Sequence, residues 1–222
     1  EENKLARAAA EKFPKQQFFI GTQQRSQRDL FLRAVNMVRK GILGPIRKVT
    51  AGINGSPKGG PFPIEEPPRT LDWEMWLGQA PKVPYREKRC HNEFRWWYEY
   101  SGGKFTDWGA HHVDIAQWAL EEDSLGRGPT KIDGTDAKDP VPFKDGYPEV
   151  DDCFNTANDF AVACTFPSGV EMVVTSRGSN GILFEGEKGR IFVNRKKITG
   201  TPIDEEWDKG QFTDDDVVAL YK

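Results

Sequence analysis

The fold class is decided by residues 160–174, which read Phe-Ala-Val-Ala-Cys-Thr-Phe-Pro-Ser-Gly-Val-Glu-Met-Val-Val. Large apolar side chains recur at every second position, and Pro-Ser-Gly at 167–169 interrupts the alternation. A period of two is typical of a strand with one buried face, and a Pro/Gly cluster between two such runs predicts a turn. The segment therefore predicts two antiparallel strands joined by a tight turn.

The chain that follows this hairpin continues the pattern. Residues 182–185 and 191–193 are apolar runs on either side of Gly-Glu-Lys-Gly at 186–189, and residues 197–199 can add a short strand. Successive strands with short turns predict an antiparallel meander.

Helices precede these strands as a group. Residues 27–40 are an amphipathic pattern, residues 106–120 form a second helix, and residues 46–53 between them form a strand. Helices grouped before a sheet pack on one of its faces. The predicted fold class is therefore α+β, with an open, mainly antiparallel sheet and helices on one face.

The first 26 residues have a different character. Residues 3–13 contain strong helix formers and end at Pro14, and residues 17–20 predict a short buried strand before Gly21. A helix followed by a buried strand resembles the last unit of a doubly wound sheet. The segment is interpreted as the remnant of such a domain.

Composition excludes several classes of protein. The 222 residues carry 31 Lys and Arg against 34 Asp and Glu, and the cations are scattered, so there is no footprint for nucleic acid. No apolar run approaches the roughly 18 residues of a membrane helix. The three cysteines, Cys90, Cys153 and Cys164, have unrelated spacings and form no disulfide framework.

The chemistry is concentrated in the helix that follows Ser101-Gly-Gly. Asp107, His111 and Asp114 fall within about 60° of one another at about 100° per residue. Burying two acids and an imidazole is costly, so a shared stripe indicates a site. A His near neutrality suits removal of a hydroxyl proton, and a carboxylate can orient it or bind a neighbouring hydroxyl.

Two other interpretations of this stripe stay open. Asp107 could be a first-turn acid that favours the helix dipole, within an ordinary charged surface. A metal site formed by His111, His112 and Asp114 is disfavoured, because His111 and His112 diverge by about 100°. No metal site is therefore predicted.

Four segments occur in an order that carries a resemblance to a known family. They are Phe-Ile-Gly-Thr-Gln-Gln-Arg-Ser at 19–26, Leu-Asp-Trp-Glu-Met-Trp-Leu-Gly-Gln-Ala-Pro at 71–81, the helix at 102–118, and Glu-Gly-Glu-Lys-Gly-Arg-Ile at 185–191. Together they resemble the Gfo/Idh/MocA oxidoreductases, named for glucose–fructose oxidoreductase, inositol dehydrogenase and a rhizopine catabolism protein.

The resemblance implies an architecture and a site. Residues 1–26 would be the C-terminal remnant of a dinucleotide-binding Rossmann domain, and residues 27–222 an α+β domain for substrate binding, catalysis and oligomerisation. The proton-accepting His would be His111 and its acidic partner Asp107. Substrate would be bound by Asp114 and by Arg25 and Gln23, which leave the last Rossmann strand beside the nicotinamide.

The family's Gly-x-Gly-x-x-Gly and Glu-Lys-Pro motifs are absent from this sequence. The cofactor, NAD or NADP, therefore has no assigned binding residues here, and both motifs are expected upstream of residue 1. Both ends of the chain are interpreted as truncations, and the 222 residues alone are not expected to turn over substrate.

Three further residues are candidates for substrate binding. Arg95 and Trp97 precede the helix, and an aromatic face can stack on a sugar, although such clusters more often serve packing. His112 is a candidate for a substrate contact or a supporting contact.

The predicted function is an NAD(P)-dependent dehydrogenase of a sugar or polyol. Two alternatives are an NAD-dependent glycosidase that oxidises its sugar transiently, and a non-catalytic module for oligomerisation or carbohydrate binding; metal-dependent hydrolysis is a third. The expected partners are a small sugar or polyol and a second copy, in a homodimer or homotetramer formed through the open sheet. The compartment is not determined, with a lean to the periplasm over the cytoplasm.

Overall fold

A computed structural model describes residues 2–18, 21–124, 126–204 and 212–222. The helices are α1 (Glu2–Lys12), α2 (Arg33–Arg39), α3 (Trp73–Leu77), α4 (Gly103–Ala119), α5 (Thr201–Asp204) and α6 (Asp214–Leu220). The strands are β1 (Ile46–Gly52), β2 (Lys131–Asp133), β3 (Phe143–Lys144), β4 (Tyr147–Pro148), β5 (Ala161–Thr165), β6 (Glu171–Thr175), β7 (Gly181–Gly186), β8 (Arg190–Val193) and β9 (Ile198–Gly200).

Seven strands form one sheet in the order β2-β5-β6-β1-β7-β8-β9, while β3 and β4 form a separate hairpin. All neighbouring pairs in the large sheet are antiparallel except β1 and β6, which are parallel. The predicted fold class, α+β with a mainly antiparallel sheet, is confirmed.

The predicted meander is wrong at one place. Strand β1, which comes before the others in the chain, lies between β6 and β7, so that Thr50 is opposite Val173 on one side and Leu183 on the other. Alternation of side chains reports which face of a strand is buried but not which strand is its neighbour. Strand β2 was also missed, because its three residues contain one large apolar side chain, Ile132, and this is 65% exposed.

The helices α2 and α4 pack on one face of the sheet, as predicted. This face is lined by buried apolar side chains from five strands or their ends: Val49, Ala51, Ile53, Val162, Cys164, Phe166, Met172, Val174, Ile182, Phe184, Ile191 and Val193. From the helices, Phe31, Val35, Met37, Ile115 and Ala119 close the same core. The alternate residues of the strands, such as Lys48, Glu171 and Arg190, point to the open face and are exposed.

The helices begin and end close to the positions that the sequence indicates. The side chain of Asp72 accepts a hydrogen bond from Met75 N at 3.0 Å and caps α3, and Gly78, with φ of 55°, follows the last residue of that helix. The helix predicted over 27–40 begins with a π-helical turn at Arg28–Leu32 before α2. Helix α4 begins at Gly103, three residues before the predicted start.

The N-terminal segment matches its prediction in part. Helix α1 ends at Lys12, two residues before Pro14. Of the strand predicted over 17–20, Phe19 and Ile20 lie outside the described residues, and Phe18 is 70% exposed and not in a strand. A buried strand needs hydrogen-bonded neighbours, and no described segment pairs with Gln17 or Phe18. The assignment of residues 1–26 to a Rossmann domain stays a prediction.

Candidate functional site

The start of α4 is fixed by close packing against two loops. Gly103 has φ of 64°, and a Cβ atom there would lie 2.4 Å from Ser56 Oγ and 2.6 Å from Thr156 Oγ1. The backbone N–H of Lys104 donates to Ser56 Oγ at 3.0 Å, which satisfies one of the free donors of the helix N-terminus. The position of every side chain on α4 therefore depends on this contact.

Asp107, His111 and Asp114 lie on one side of α4 by their spacing, and each is partly buried. Each carboxylate has basic partners: Asp107 lies 3.5 Å from Arg95 Nη1 and 3.6 Å from Lys104 Nζ. The side chains of Asp107 and Asp114 are 22% and 25% exposed, so the stripe is neither open to bulk water nor closed off from it.

His111 has a pKa below its ordinary value. Partial burial is the largest cause, the positive charge of Arg195 adds to it, and the charges of Asp107 and Asp114 act in the opposite direction. The imidazole is therefore neutral at neutral pH and has a free electron pair with which to accept a proton.

His112 faces the core and is fully buried. Burial lowers the pKa of His112 to about 4, so its ring is neutral. Its Nε2 lies 3.0 Å from Asn180 Oδ1, an acceptor, which places the ring proton on Nε2. The predicted substrate contact is not available to a side chain with no exposed surface, and His112 acts as a support.

Gln24 connects His112 with the stripe. In the orientation that satisfies its neighbours, the Gln24 amide nitrogen donates to His111 O at 3.0 Å and to His112 Nδ1 at 3.3 Å, and its oxygen accepts from Arg195 Nε at 3.2 Å. Asn180 in turn donates to Asn54 Oδ1 at 3.1 Å. A directed series of hydrogen bonds thus runs from Arg195 through a buried His to Asn54.

The predicted residues of the N-terminal segment lie beside α4. Arg25 donates to both oxygens of Asp114 and also to Asp123 at 3.0 Å, and its guanidinium stacks 4.6 Å from the Trp118 ring. Gln23, two residues before Arg25, is exposed. Arg25 and Asp114 therefore bind each other in this structure, rather than presenting two free groups to a substrate.

Arg95 and Trp97, both predicted to bind substrate, lie in different surroundings. Arg95 contacts Asp107 and lies at the edge of the stripe. Trp97 is fully buried with Trp96 and Phe154, donates its Nε1 to Lys88 O at 2.6 Å, and has the Arg89 guanidinium 4.0 Å from its ring. The packing alternative therefore describes Trp97, and a sugar has no access to its face.

Of the cavities that border α4, two lie next to the stripe. One, of about 550 Å³, lies between the helix and strands β2, β5 and β6 and has a mostly apolar lining that includes Phe105, Val113 and Met172, with Asp114 at its edge. The other, of about 480 Å³, lies at the end of the sheet, is lined mainly by polar residues and is called the polar cavity below. It is lined by Asn54, Trp108, Gly178, Ser179, Asn180, Asn194, Arg195 and Lys196.

The polar cavity adjoins the stripe through Trp108. The Trp108 ring lies 6.2 Å from the His111 ring and 5.4 Å from the His112 ring. Hydroxyl-rich ligands need amide and charged groups together with an apolar face, and this cavity offers all three. No motif in the sequence marks Asn54, Trp108, Asn180 or Arg195, and the predicted contact was Gln23, not its neighbour Gln24.

Neither a group of metal-binding side chains nor a helix fit to cross a membrane occurs within the described ranges. No three His, Cys, Asp or Glu side chains there are grouped so that they could hold a metal ion. None of the helices within those ranges has the length and apolarity that crossing a membrane requires.

Residues 58–202 match the family model for the C-terminal alpha/beta domain of the Gfo/Idh/MocA oxidoreductase family. No curated protein sequence matches the chain significantly.

Three solved structures illustrate the structural matches. The aldose-aldose oxidoreductase from Caulobacter crescentus, in complex with glycerol, is 18% identical with a TM-score of 0.52, and the match covers 87% of this chain and 47% of that one. A super-repressor mutant of Gal80p from Saccharomyces cerevisiae is 16% identical with a TM-score of 0.50, covering 90% and 48%. The WlbA dehydrogenase from Bordetella pertussis, in complex with NADH and UDP-GlcNAcA, is 15% identical with a TM-score of 0.42, covering 89% and 49%.

At these identities the similarity shows the fold alone. The chain spans just under half the length of each of these three proteins.

Proposed function

The chain belongs to the Gfo/Idh/MocA family of oxidoreductases, and we propose that it forms the substrate-binding and catalytic part of an NAD(P)-dependent enzyme that oxidises a hydroxyl group of a sugar or polyol. The observation that carries the proposal is the half-buried, neutral His111 on a polar stripe beside a polar cavity. A neutral imidazole in reach of a bound hydroxyl is the group that alcohol oxidation requires.

His111 accepts the hydroxyl proton at a ring nitrogen. Asp107 and Asp114 stabilise the imidazolium that forms, because both negative charges raise the pKa of His111. Asp107 acts through its charge and is itself held by Arg95 and Lys104. The substrate lies in the polar cavity, where Asn54 and Asn180 offer amide groups to its hydroxyls and Trp108 offers a ring face.

The stripe also fits a nicotinamide cofactor. Gln23 is exposed next to the buried Gln24, in the short helical segment that packs against α4, and would contact the nicotinamide. NAD or NADP supplies the hydride acceptor when it is bound. Its phosphates need a Gly-rich turn that this sequence does not contain, so the remaining contacts come from outside these residues.

The open face of the sheet is proposed to form a homodimer or homotetramer. Side chains on this face include Thr50, Val173, Leu183 and Phe192, which are partly exposed. Analytical ultracentrifugation tests this: Leu183→Glu together with Val173→Glu should give monomers. Monomeric wild-type protein at high concentration would contradict it.

The function is tested with the full-length protein and a panel of sugars and polyols, by following the absorbance of reduced nicotinamide. His111→Gln should lower kcat by about 100-fold or more, since a positioned base contributes at least that much. His91→Asn is the matched control, because His91 is exposed and has a φ of 51°, which Asn tolerates. It should leave kcat unchanged.

Three outcomes separate the alternatives. Formation of reduced nicotinamide that depends on His111 supports the dehydrogenase. Release of an aglycone without accumulation of reduced nicotinamide identifies a redox-neutral glycosidase. Turnover that is the same in wild type and His111→Gln would leave the chain as a non-catalytic module.

A further inference from the structure

The polar cavity beside Trp108 carries a net positive charge. Its lining includes Arg195 and Lys196 and three Asn side chains, but no Asp or Glu. The apolar cavity on the other flank of α4 contains no basic side chain and has Asp114 at its edge. The two cavities next to the proposed base therefore differ in the sign of the charge that lines them.

Neither cation has an acidic partner within the ranges that the structure describes. Elsewhere, the arginines close to this site are paired, Arg25 with Asp114 and Asp123, and Arg177 with Asp136 and Asp159. Arg195 is half-buried, and its Nη2 is buried with no hydrogen-bond partner among the described residues. A partly desolvated cation without a counter-charge is unfavourable, and a bound anion would offset that cost.

The turn that carries the two cations and the guanidinium of Arg195 are held in place. Asn194 Oδ1 accepts from the backbone N–H of Lys196 at 2.9 Å and of Lys197 at 3.0 Å, which forms a tight turn after β8. The Arg195 guanidinium lies 4.4 Å from the Trp108 ring, and its Nε donates to Gln24. Such a preorganised cation binds an anion without losing further side-chain entropy.

The position of Arg195 relative to His111 sets the geometry of a ligand. Trp108 contacts both residues, with ring separations of 6.2 Å to His111 and 4.4 Å to the guanidinium. A molecule lying against Trp108 in the cavity can place a hydroxyl near the imidazole and a charged substituent near the guanidinium.

We infer that the substrate is a sugar bearing an anionic group, a carboxylate or a phosphate, which Arg195 and Lys196 bind in the cavity beside Trp108. This inference rests on the proposed function, because it places the reacting hydroxyl at His111. Arg195 selects the substrate by its charge, and Lys196 adds to the attraction from the cavity mouth.

The test measures binding to the full-length protein by isothermal titration calorimetry, with three probes of matched ring structure: D-glucuronate, D-glucose 6-phosphate and D-glucose. At least one anionic sugar should bind about tenfold more tightly than glucose, the difference expected of a charge-assisted hydrogen bond. The anionic sugar with the lower Kd shows whether the site prefers a carboxylate or a phosphate.

Substitutions of Arg195 and Lys196 test whether these two cations cause the preference for an anionic sugar. Arg195→Gln should weaken binding of the anionic sugar about tenfold and leave glucose unchanged, and Arg195→Lys should restore part of it. Lys196→Gln should weaken binding of the anionic sugar by about threefold. This variant breaks none of the hydrogen bonds that Gln24 makes. Lys197→Gln is the matched control, since Lys197 is exposed and lies outside this cavity.

The inference and the function fail in different ways. Equal affinity for glucose and both anionic sugars, unaffected by Arg195→Gln or Lys196→Gln, overturns the inference even if neutral sugars are oxidised. Arg195-dependent binding of an anionic sugar supports it even if no reduced nicotinamide is formed. Thermal unfolding midpoints of the variants within about 2 °C of wild type ensure that binding, not folding, is compared.

Discussion

Arg25 and Asp114 hold each other through two hydrogen bonds, from Arg25 Nε to Asp114 Oδ2 at 2.8 Å and from Arg25 Nη2 to Asp114 Oδ1 at 2.7 Å. The pair joins the N-terminal segment to helix α4 across 89 positions of sequence. Hydrogen bonding to Asp114 is the main reason that the pKa of Arg25 lies above its ordinary value. Because Gln24 is the neighbour of Arg25, the pair also fixes the amide that supports both histidines.

This two-point contact should be worth more than an exposed ion pair. In a double-mutant cycle, Arg25→Gln and Asp114→Asn should give a coupling free energy of about 1 kcal/mol or more in urea unfolding. The control pair is Arg47 and Glu187, whose side chains are 74% and 45% exposed. Its coupling should stay below about 0.5 kcal/mol. Equal couplings in the two cycles would show that the contact has no special stabilising role.

The pH dependence of activity should follow the charges around His111. Its lowered pKa means that the neutral base persists below pH 6.5, so kcat/KM should fall only at lower pH. Arg195→Gln removes a charge that lowers this pKa and should move the acid limb to higher pH. Asp107→Asn removes a charge that raises it and should move the limb to lower pH.

Titration of the His111 ring by NMR measures the same shifts without turnover. The two variants should displace the midpoint in opposite directions, in the order Asp107→Asn, wild type, Arg195→Gln. Displacement of both in one direction would mean that a structural change, and not the local charge, determines the pKa.

The sequence predicted the buried side of strands β5 and β6 but not the strand order. Alternation at 160–174 follows from packing of one face, which is a local property. The position of β1 between β6 and β7 depends on contacts between distant segments, such as Thr50 with Val173 and Leu183. No periodicity within residues 46–53 reports those neighbours.

Because local patterns do not report strand order, only part of the site could be predicted from the sequence. Asp107, His111 and Asp114 lie on one helix, so their spacing alone brings them together. Asn54, Asn180 and Arg195 meet at one end of the sheet because β1 lies beside β7 and β7 beside β8. Once the strand order is known, these three positions follow from it. Trp97 failed as a candidate because composition cannot separate a packing aromatic from an exposed one.

His112 should make stability depend on pH. Its folded pKa of about 4 lies below the ordinary value of 6.5, so its contribution to folding is complete above pH 6.5 and is lost as the pH falls toward 4. Between pH 7 and about pH 4.5 the free energy of unfolding should fall by about 2 to 3 kcal/mol from this group. Urea unfolding at the two pH values measures the change.

His112→Gln should reduce that pH dependence, because Gln can bond to Asn180 and Gln24 and carries no proton to gain. His91→Asn, at an exposed position, should leave it unchanged. A wild-type protein whose unfolding free energy is constant from pH 7 to about pH 4.5 would show that the buried ring does not resist protonation.

Gly103 should be the glycine of the site at which substitution by Ala destabilises the protein most. Gly41 is the control that separates backbone strain from steric clash. Both have a similar φ, 64° and 68°, so Ala in this left-handed conformation should lower the free energy of unfolding by about 1 kcal/mol at either position. Only at Gly103 does the added Cβ meet Ser56 and Thr156, whereas nothing lies within 4 Å of it at Gly41. Gly103→Ala should therefore cost about 2 to 4 kcal/mol and Gly41→Ala about 1 kcal/mol in urea unfolding. The clash displaces the start of α4, so Gly103→Ala should also lower kcat in the full-length enzyme, while Gly41→Ala should not. If the two variants lowered stability and kcat equally, the contact of Gly103 with Ser56 and Thr156 would not be what positions the stripe.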